Sequence, residues 1–321
     1  MVSVFAIVQA GRLSMEALLL AASRRHSGMA HRLTFLMPEG GPLWPQAPEP
    51  PQKTRDALRD LGADIVPFRS RIFGAAYPHG NKIEALAAFA PGTPILFLDT
   101  DTLILAPFDP DEVATAPPSA SLNRSNSWPK VPDAAARDRV WRALYDRFGL
   151  DIADSLDPAR PEEDWARYLY FNAGWFHAPC APRFGEIYRQ FAAAIWRDPG
   201  AALAEQSLEP WLDQIALPLA VHAEGGGRES PLRAQLDGEA TCHYRWLPLL
   251  YARASDAAVE TLEHCASLPE VRPLLQTYGP ARRLIFEGEG ARIRELFQRE
   301  GLPTDEATLR KRLRAEGVWM R

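Results

Sequence analysis

Several features that settle a function early are missing from this chain. It has only three cysteines, Cys180, Cys242 and Cys265, an odd and widely spaced set with neither metal-ligand nor redox spacing, which fits a reducing cytoplasm. No apolar run is long enough to span a membrane. Residues 2–10 are apolar, but they lack a basic leader and run straight into Gly11-Arg12, so they read as a first strand and not as a signal peptide. There is no excess of positive charge either: the net charge of −5 argues against a general nucleic-acid binder, which wants a basic surface. A glycine-rich coenzyme fingerprint, a serine elbow, internal repeats and low-complexity tracts are all absent. What remains is a 321-residue chain, 46% hydrophobic and 24% charged, able to bury a large core as one large domain or two small ones. Its 29 prolines suggest long ordered loops.

The most informative stretch is Pro94-Ile95-Leu96-Phe97-Leu98-Asp99-Thr100-Asp101, followed by Leu103-Ile104-Leu105. Four consecutive apolar residues read as a strand buried on both faces, the kind found in the middle of a parallel sheet. The strand stops on acid. Side chains alternate along an extended chain, so Asp99 and Asp101 point the same way and their oxygens can converge. Two like charges that close repel unless one is protonated or a cation lies between them. All-oxygen ligation favours magnesium or manganese, which keep positions open for water or phosphate oxygens, so a metal-bound diphosphate is the expected cargo. The bland alternative is an acidic turn or helix cap. Against it stands the rule that ligands of open α/β sheets bind outside the carboxyl ends of strands.

Around that stretch the chain alternates strand and helix. Residues 2–8 form a strand, Gln9-Ala10-Gly11 a turn and residues 14–25 a helix; residues 31–37 and 62–68 are further strands, with a proline-rich loop at 38–51 and a helix at 52–61 between them. A turn after a first parallel strand is a usual place for contacts to a base or ribose; equally, Gly11 there can serve backbone geometry alone. Gly80 or Asn81 caps a helix reaching residue 89, with Lys82 in its first turn. A lysine at a helix start works against the dipole and asks for a negative partner: a phosphate, Glu84 or a nearby aspartate, unless it is simply solvated. Downstream come a strand at 119–122, a polar loop at 123–128, a helix at 137–148, and the aromatic-rich strand Tyr168-Leu169-Tyr170-Phe171-Asn172-Ala173-Gly174-Trp175-Phe176-His177. Gly174 marks a close approach of ligand or backbone, and Asn172 offers an amide to a hydroxyl-rich substrate; a bulged core strand is an equal alternative. Further elements are a helix at 184–196, a helix from Glu209-Pro210 to 217 that holds Asp213 and Gln214, a strand at 217–222, a flexible turn at Gly225-Gly226-Gly227, and a strand at 240–244 that presents His243. Asp213 and Gln214 can face a cleft, or one can cap while the other is solvated. A lone histidine is more often structural than a ligand. Beyond residue 251 the pattern is helical and arginine-rich to Arg321.

In order, Asn81-Lys82-Ile83, Phe97-Leu98-Asp99-Thr100-Asp101, Phe171-Asn172-Ala173-Gly174 and Asp213-Gln214 resemble the motifs of GT-A-fold glycosyltransferases, above all the glycogenin-like and lipopolysaccharide galactosyltransferase-like families. The resemblance spans roughly residues 1–250. It implies an α/β fold with a single mixed, mostly parallel central sheet flanked by helices, followed by a helical extension over 251–321. It implies a nucleotide-diphosphate-sugar donor, usually a uridine one, an acceptor hydroxyl on a glycan, lipid or small molecule, and Mn2+ or Mg2+ as cofactor. By position, Asp99 and Asp101 would bind the metal with Thr100 between them, and His243 would be the late histidine ligand, although the glycine and lysine that flank it in those families are missing. Lys82 would lie near the diphosphate or donor sugar, Asn172 and Gly174 would line the sugar and acceptor side, and Asp213 and Gln214 the reacting face.

Two rivals share the acid strand. A haloacid-dehalogenase-type phosphatase also opens on an apolar strand and Asp-x-Asp, but it wants threonine or valine where this chain has Leu103, and it wants that strand first. A catalytically inactive nucleotide-sugar-binding protein would keep the acid pair and lose the chemistry.

Overall fold

A computed structural model describes residues 1–303 and 305–320. Thr304, and Arg321 at the expected end of the helical extension, lie outside the described residues. The first half alternates as expected: β1 (Ser3–Ile7), α1 (Arg12–Ser27), β2 (Leu33–Pro38), α2 (Gln52–Asp60), β3 (Asp64–Phe68), the short α3 (Asn81–Glu84), β4 (Ile95–Leu98), β5 (Thr102–Ile104) and β6 (Ser119–Leu122). Then follow α4 (Ala134–Arg147), β7 (Phe171–Ala178), α5 (Ala181–Arg197), α6 (Leu212–Ala223) and β8 (Thr241–His243). The chain ends in six helices: α7 (Leu247–Arg253), α8 (Asp256–Ser267), α9 (Arg272–Leu275), α10 (Gly279–Ala281), α11 (Glu289–Glu300) and α12 (Glu306–Ala315).

The central sheet is mixed and mostly parallel, in the order β3-β2-β1-β4-β7-β6. Pairing is parallel from β3 to β4 and antiparallel at β4–β7 and β7–β6. Helices cover both faces, which is why the central strands are apolar without interruption. In β1, Val4 and Ala6 enter a core shared with α1 and the C-terminal helices, while Phe5 and Ile7 enter an aromatic core shared with α5 and α6. β5 and β8 form a separate antiparallel ribbon beyond the end of β4.

One expectation fails. Residues 217–222 are not a strand but the second half of α6, and that helix begins at Leu212, with Pro210 ahead of it. The reason is burial on all sides: from Leu212 to Val221 only Gln214 is not buried, so the helix has no polar stripe from which its period can be read. Pro218 lies inside this helix. Residue 250 falls within α7, and Leu262, Leu275 and Leu313 share one core with Leu18 of α1 and Val4 of β1.

Candidate active site

The acid pair sits where the main sheet hands over to the ribbon. The Asp99 N–H donates to the Gly174 carbonyl (2.8 Å), extending the β4–β7 pairing by one residue, and the Asp101 carbonyl accepts from the Tyr244 N–H (2.9 Å). The backbone is therefore held on both sides of Thr100. In the ribbon Thr102 pairs with His243, which brings a residue 142 positions downstream of Asp101 against its carboxylate: His243 Nε2 lies 3.1 Å from Asp101 Oδ1. One ligand atom from each of Asp99, Asp101 and His243 lies within 4.8 Å of the others.

A second layer of charge surrounds them. Lys82, in α3, is almost wholly buried, with Nζ 3.0 Å from Asp99 Oδ1 and 3.2 Å from Asp213 Oδ2. The negative partner its position calls for is thus a pair of aspartates; Glu84 instead accepts from the backbone N–H groups of Arg71, Ile72 and Phe73. Asp213 lies in the first turn of α6, where the helix dipole favours an acid. The Tyr77 hydroxyl donates to its Oδ1 (2.7 Å) and accepts from its N–H (2.9 Å), and Tyr188 donates to its carbonyl (2.8 Å). On the other side, Arg12 at the start of α1 is 2.7 Å from Glu16 and 3.9 Å from Asp101, with its guanidinium 4.2 Å over the Trp246 ring.

The charges do not balance. Asp99, Asp101, Asp213 and Glu16 face two permanent cations, Lys82 and Arg12. With all four acids ionised and His243 neutral, the cluster holds two uncompensated negative charges, and the groups respond. Burial, reinforced by Asp101, pushes Asp99 above the usual carboxylate range despite Lys82, and pushes Glu16 well above it. Burial acts on Asp101 too, but His243 and Arg12 outweigh it and hold that carboxyl below its ordinary value. For His243, burial is likewise overcome, and Asp101 raises it. Lys82 is raised because Asp99 and Asp213 more than offset its burial.

The family model of the Rhodobacterales glycosyltransferase domain matches residues 4–225. The chain belongs to this family. The match takes in Lys82, the acid pair, Asn172 to Gly174 and Asp213-Gln214, and it ends before His243 and the extension. No curated protein matches the glycosyltransferase in sequence. Among solved structures it is similar to the galactosyltransferase LgtC in complex with donor and acceptor sugar analogs, at 12% identity and a TM-score of 0.47 over 84% of this chain and 98% of that one. Others are the bifunctional glycosyltransferase WbbM (11% identity, 72% of this chain and 39% of that one, TM-score 0.39) and GlyE of Streptococcus pneumoniae TIGR4 (12%, 85% and 52%, 0.38). Family membership supports neither the phosphatase nor the inactive binding protein.

The remaining expected residues divide into those at the cluster and those that build it. Gly174 makes room for a side chain: a Cβ there would stand 2.4 Å from His243 Nδ1 and 2.9 Å from Asn172 Oδ1. Asn172 spends its amide on the bulge between β6 and β7, accepting from the Gly174 N–H (2.8 Å) and the Ser121 hydroxyl and donating to the Leu122 carbonyl (3.1 Å). That bulge holds Ala173 at φ 55, a left-handed conformation a non-glycine residue adopts only when its surroundings impose it. Thr100 is buried, and its hydroxyl donates to Glu16 (3.1 Å), so it faces α1. Gln9 accepts from Asn81 (2.8 Å), Ala10 donates to the Pro48 carbonyl (2.7 Å), and Gly11 at φ 83 turns the chain into α1, which places the turn beside the residue that precedes Lys82. Gln214 Oε1 accepts from the Tyr170 hydroxyl (3.3 Å) and from Asn123 (3.4 Å).

Arg12, Glu16, Tyr77 and Tyr170 belong to this glycosyltransferase's polar cluster and escape sequence reasoning. One signal was there to be used: Glu16 interrupts an apolar helix, with Arg12 one turn earlier on the same face.

Proposed function

We propose that this glycosyltransferase moves a sugar from a nucleoside-diphosphate donor, a uridine one, to an acceptor hydroxyl, with Mn2+ or Mg2+ held by Asp99, Asp101 and His243. The observation that carries this reading is the convergence of two carboxylates and an imidazole to within 4.8 Å at the carboxyl end of β4. The donor set suits the ion: two hard oxygens and one nitrogen leave positions for substrate oxygens, and a divalent charge would offset the repulsion between the clustered carboxylates. Bound there, the cation would act as a Lewis acid on the departing diphosphate.

The protein's own groups supply the rest. Lys82, kept protonated by Asp99 and Asp213, adds a fixed positive charge beside the leaving group, and it is preorganised because its surroundings leave it nowhere else to go. Tyr77 and Lys82 grip the Asp213 carboxylate from two sides, so it reaches the reacting face in one orientation. Gln214, with Oε1 engaged by Tyr170 and Asn123, offers its NH2 to a sugar hydroxyl. Gln9, Ala10 and Gly11 are proposed to meet the base or ribose. In this reading residues 1–250 carry donor binding and catalysis, and 251–321 cover one face of them. The acceptor is a glycan, a lipid or a small molecule, and the three free cysteines favour work in the cytoplasm. No described helix is long and apolar enough to cross a membrane.

Thermal unfolding with a UDP-hexose, with and without manganese, tests the reading. The donor should stabilise the wild type only when metal is present, and chelation or Asp101→Asn should remove the effect. Metal-dependent stabilisation that survives in Asp101→Asn would place the site elsewhere.

A further inference from the structure

A second cavity, of about 310 Å3, opens beyond the sheet edge at β6 and involves none of the residues assigned above. Its walls come from residues 154–158, from the end of α6 and from the triple-glycine turn that follows it. Arg228 closes one side: its Nη2 donates to the carbonyls of Arg167 (2.5 Å) and Ser155 (3.2 Å), tying the two loops together. Gly227 leaves a gap in the wall, since a Cβ built on it meets nothing within 4 Å.

The lining chemistry selects the ligand. Arg228 is spent on carbonyls and Asp157 is paired with Arg160 (3.3 Å), while Asp154 and Glu229 contribute further carboxylates, so an anion such as phosphate is disfavoured. The Ser155 hydroxyl is given to the Ile152 carbonyl (2.8 Å), which leaves the carboxylates of Asp154 and Glu229 and the His222 imidazole as the groups suited to neutral hydroxyls. Leu156 and Leu169 give an apolar wall for the C–H face of a ring. The volume lies within the range of small-ligand sites.

We infer that this cavity binds a neutral hexopyranose unit of the acceptor, remote from the bond being made. The inference rests on the proposed glycan acceptor and not on the metal. Two elements link the cavity to the reacting residues. α6 carries Asp213 in its first turn and His222 in its last, nine residues apart, or roughly 14 Å along the axis at the standard helical rise. Leu169 in the cavity wall immediately precedes Tyr170, whose hydroxyl bonds Gln214.

Saturation-transfer NMR with methyl α-D-galactopyranoside, methyl β-D-glucopyranoside and methyl α-D-mannopyranoside tests this, with inorganic phosphate as competitor. At least one glycoside should bind both the wild type and Asp101→Asn. Gly227→Phe, which fills the cavity, should weaken that binding about tenfold or more while leaving the metal-dependent donor stabilisation intact. Glu229→Ala, at an exposed position, should weaken it as well and serves if the phenylalanine variant does not fold. The inference is overturned if no glycoside binds, if phosphate displaces the glycoside, or if binding survives in a folded variant. Loss of donor stabilisation in the wild type would instead strike the metal reading and leave the glycoside result standing.

Discussion

Two groups of residues in this protein offer the same ligand chemistry, two aspartates and a histidine with one atom each within 4.8 Å, and they lie at opposite ends of the sheet. Asp99, Asp101 and His243 gather at the carboxyl end of β4. His31, Asp109 and Asp111 gather near the amino ends of β1 and β2. The second group is explained by local structure: Asp109 caps a short turn by accepting from the Asp111 N–H (3.0 Å), and Asp111 accepts from the Val2 N–H and lies 3.3 Å from His31. Both of its acids are exposed, so water screens them and no further charge is needed. The first group is enclosed by Lys82, Asp213, Arg12 and Glu16, from α3, α6 and α1, and there burial pushes the carboxyls of Asp99 and Glu16 upward. Residue types and the distances between ligand atoms are alike; burial and the surrounding charge distinguish the proposed site from the exposed group.

That contrast can be broken by experiment. The largest effect is expected for Lys82→Met. Removing the cation leaves the buried Asp213 and the half-buried Asp99 facing each other without compensation, which should cost about 3–5 kcal/mol in denaturant unfolding and abolish transfer; a variant of near-normal stability would show that the cluster is better hydrated than its burial indicates. Next is Asp101→Asn, which keeps the shape and removes the charge that holds His243. Turnover of a UDP-sugar should fall on the order of 10²–10³-fold, as it does when an electrostatic stabiliser is lost, with little change in stability. Gly174→Ala should follow: the new methyl group collides with the His243 ring, so about 1–3 kcal/mol of stability should be lost and the metal needed for half-maximal activity should rise. The smallest effect is expected at the opposite end of the sheet. Asp111→Asn should leave turnover and metal dependence unchanged, and a measurable loss of either would erase the distinction drawn between the two groups.

Some of this was readable without coordinates. The apolar run before Asp99 forced a strand covered on both faces, and alternation through Thr100 put the two carboxylates on one side. Lys82 was legible as a residue in need of a negative partner, although not as one buried between two. The second half of α6 was not legible, because a helix enclosed by core on every side shows no periodic contrast between polar and apolar positions. The sequence left Asn172 open between a group offered to substrate and part of a bulged core strand; its amide holds the bulge that keeps Gly174 against His243, through Ser121 and Leu122 of another strand.

By itself, then, the order of residues determined which stretches became strands and that the acid pair would share one side of one of them, since both follow from the two-residue repeat of an extended chain. Tertiary structure decided everything that turns the pair into a site. Lys82, Asp213, His243 and Arg12 come from segments far apart along the chain and meet only because the parallel sheet, the β5–β8 ribbon and the ends of α1 and α6 bring them to the same point. Their energies are set by a shared, poorly hydrated space, and that is a property of the packing and not of any local sequence.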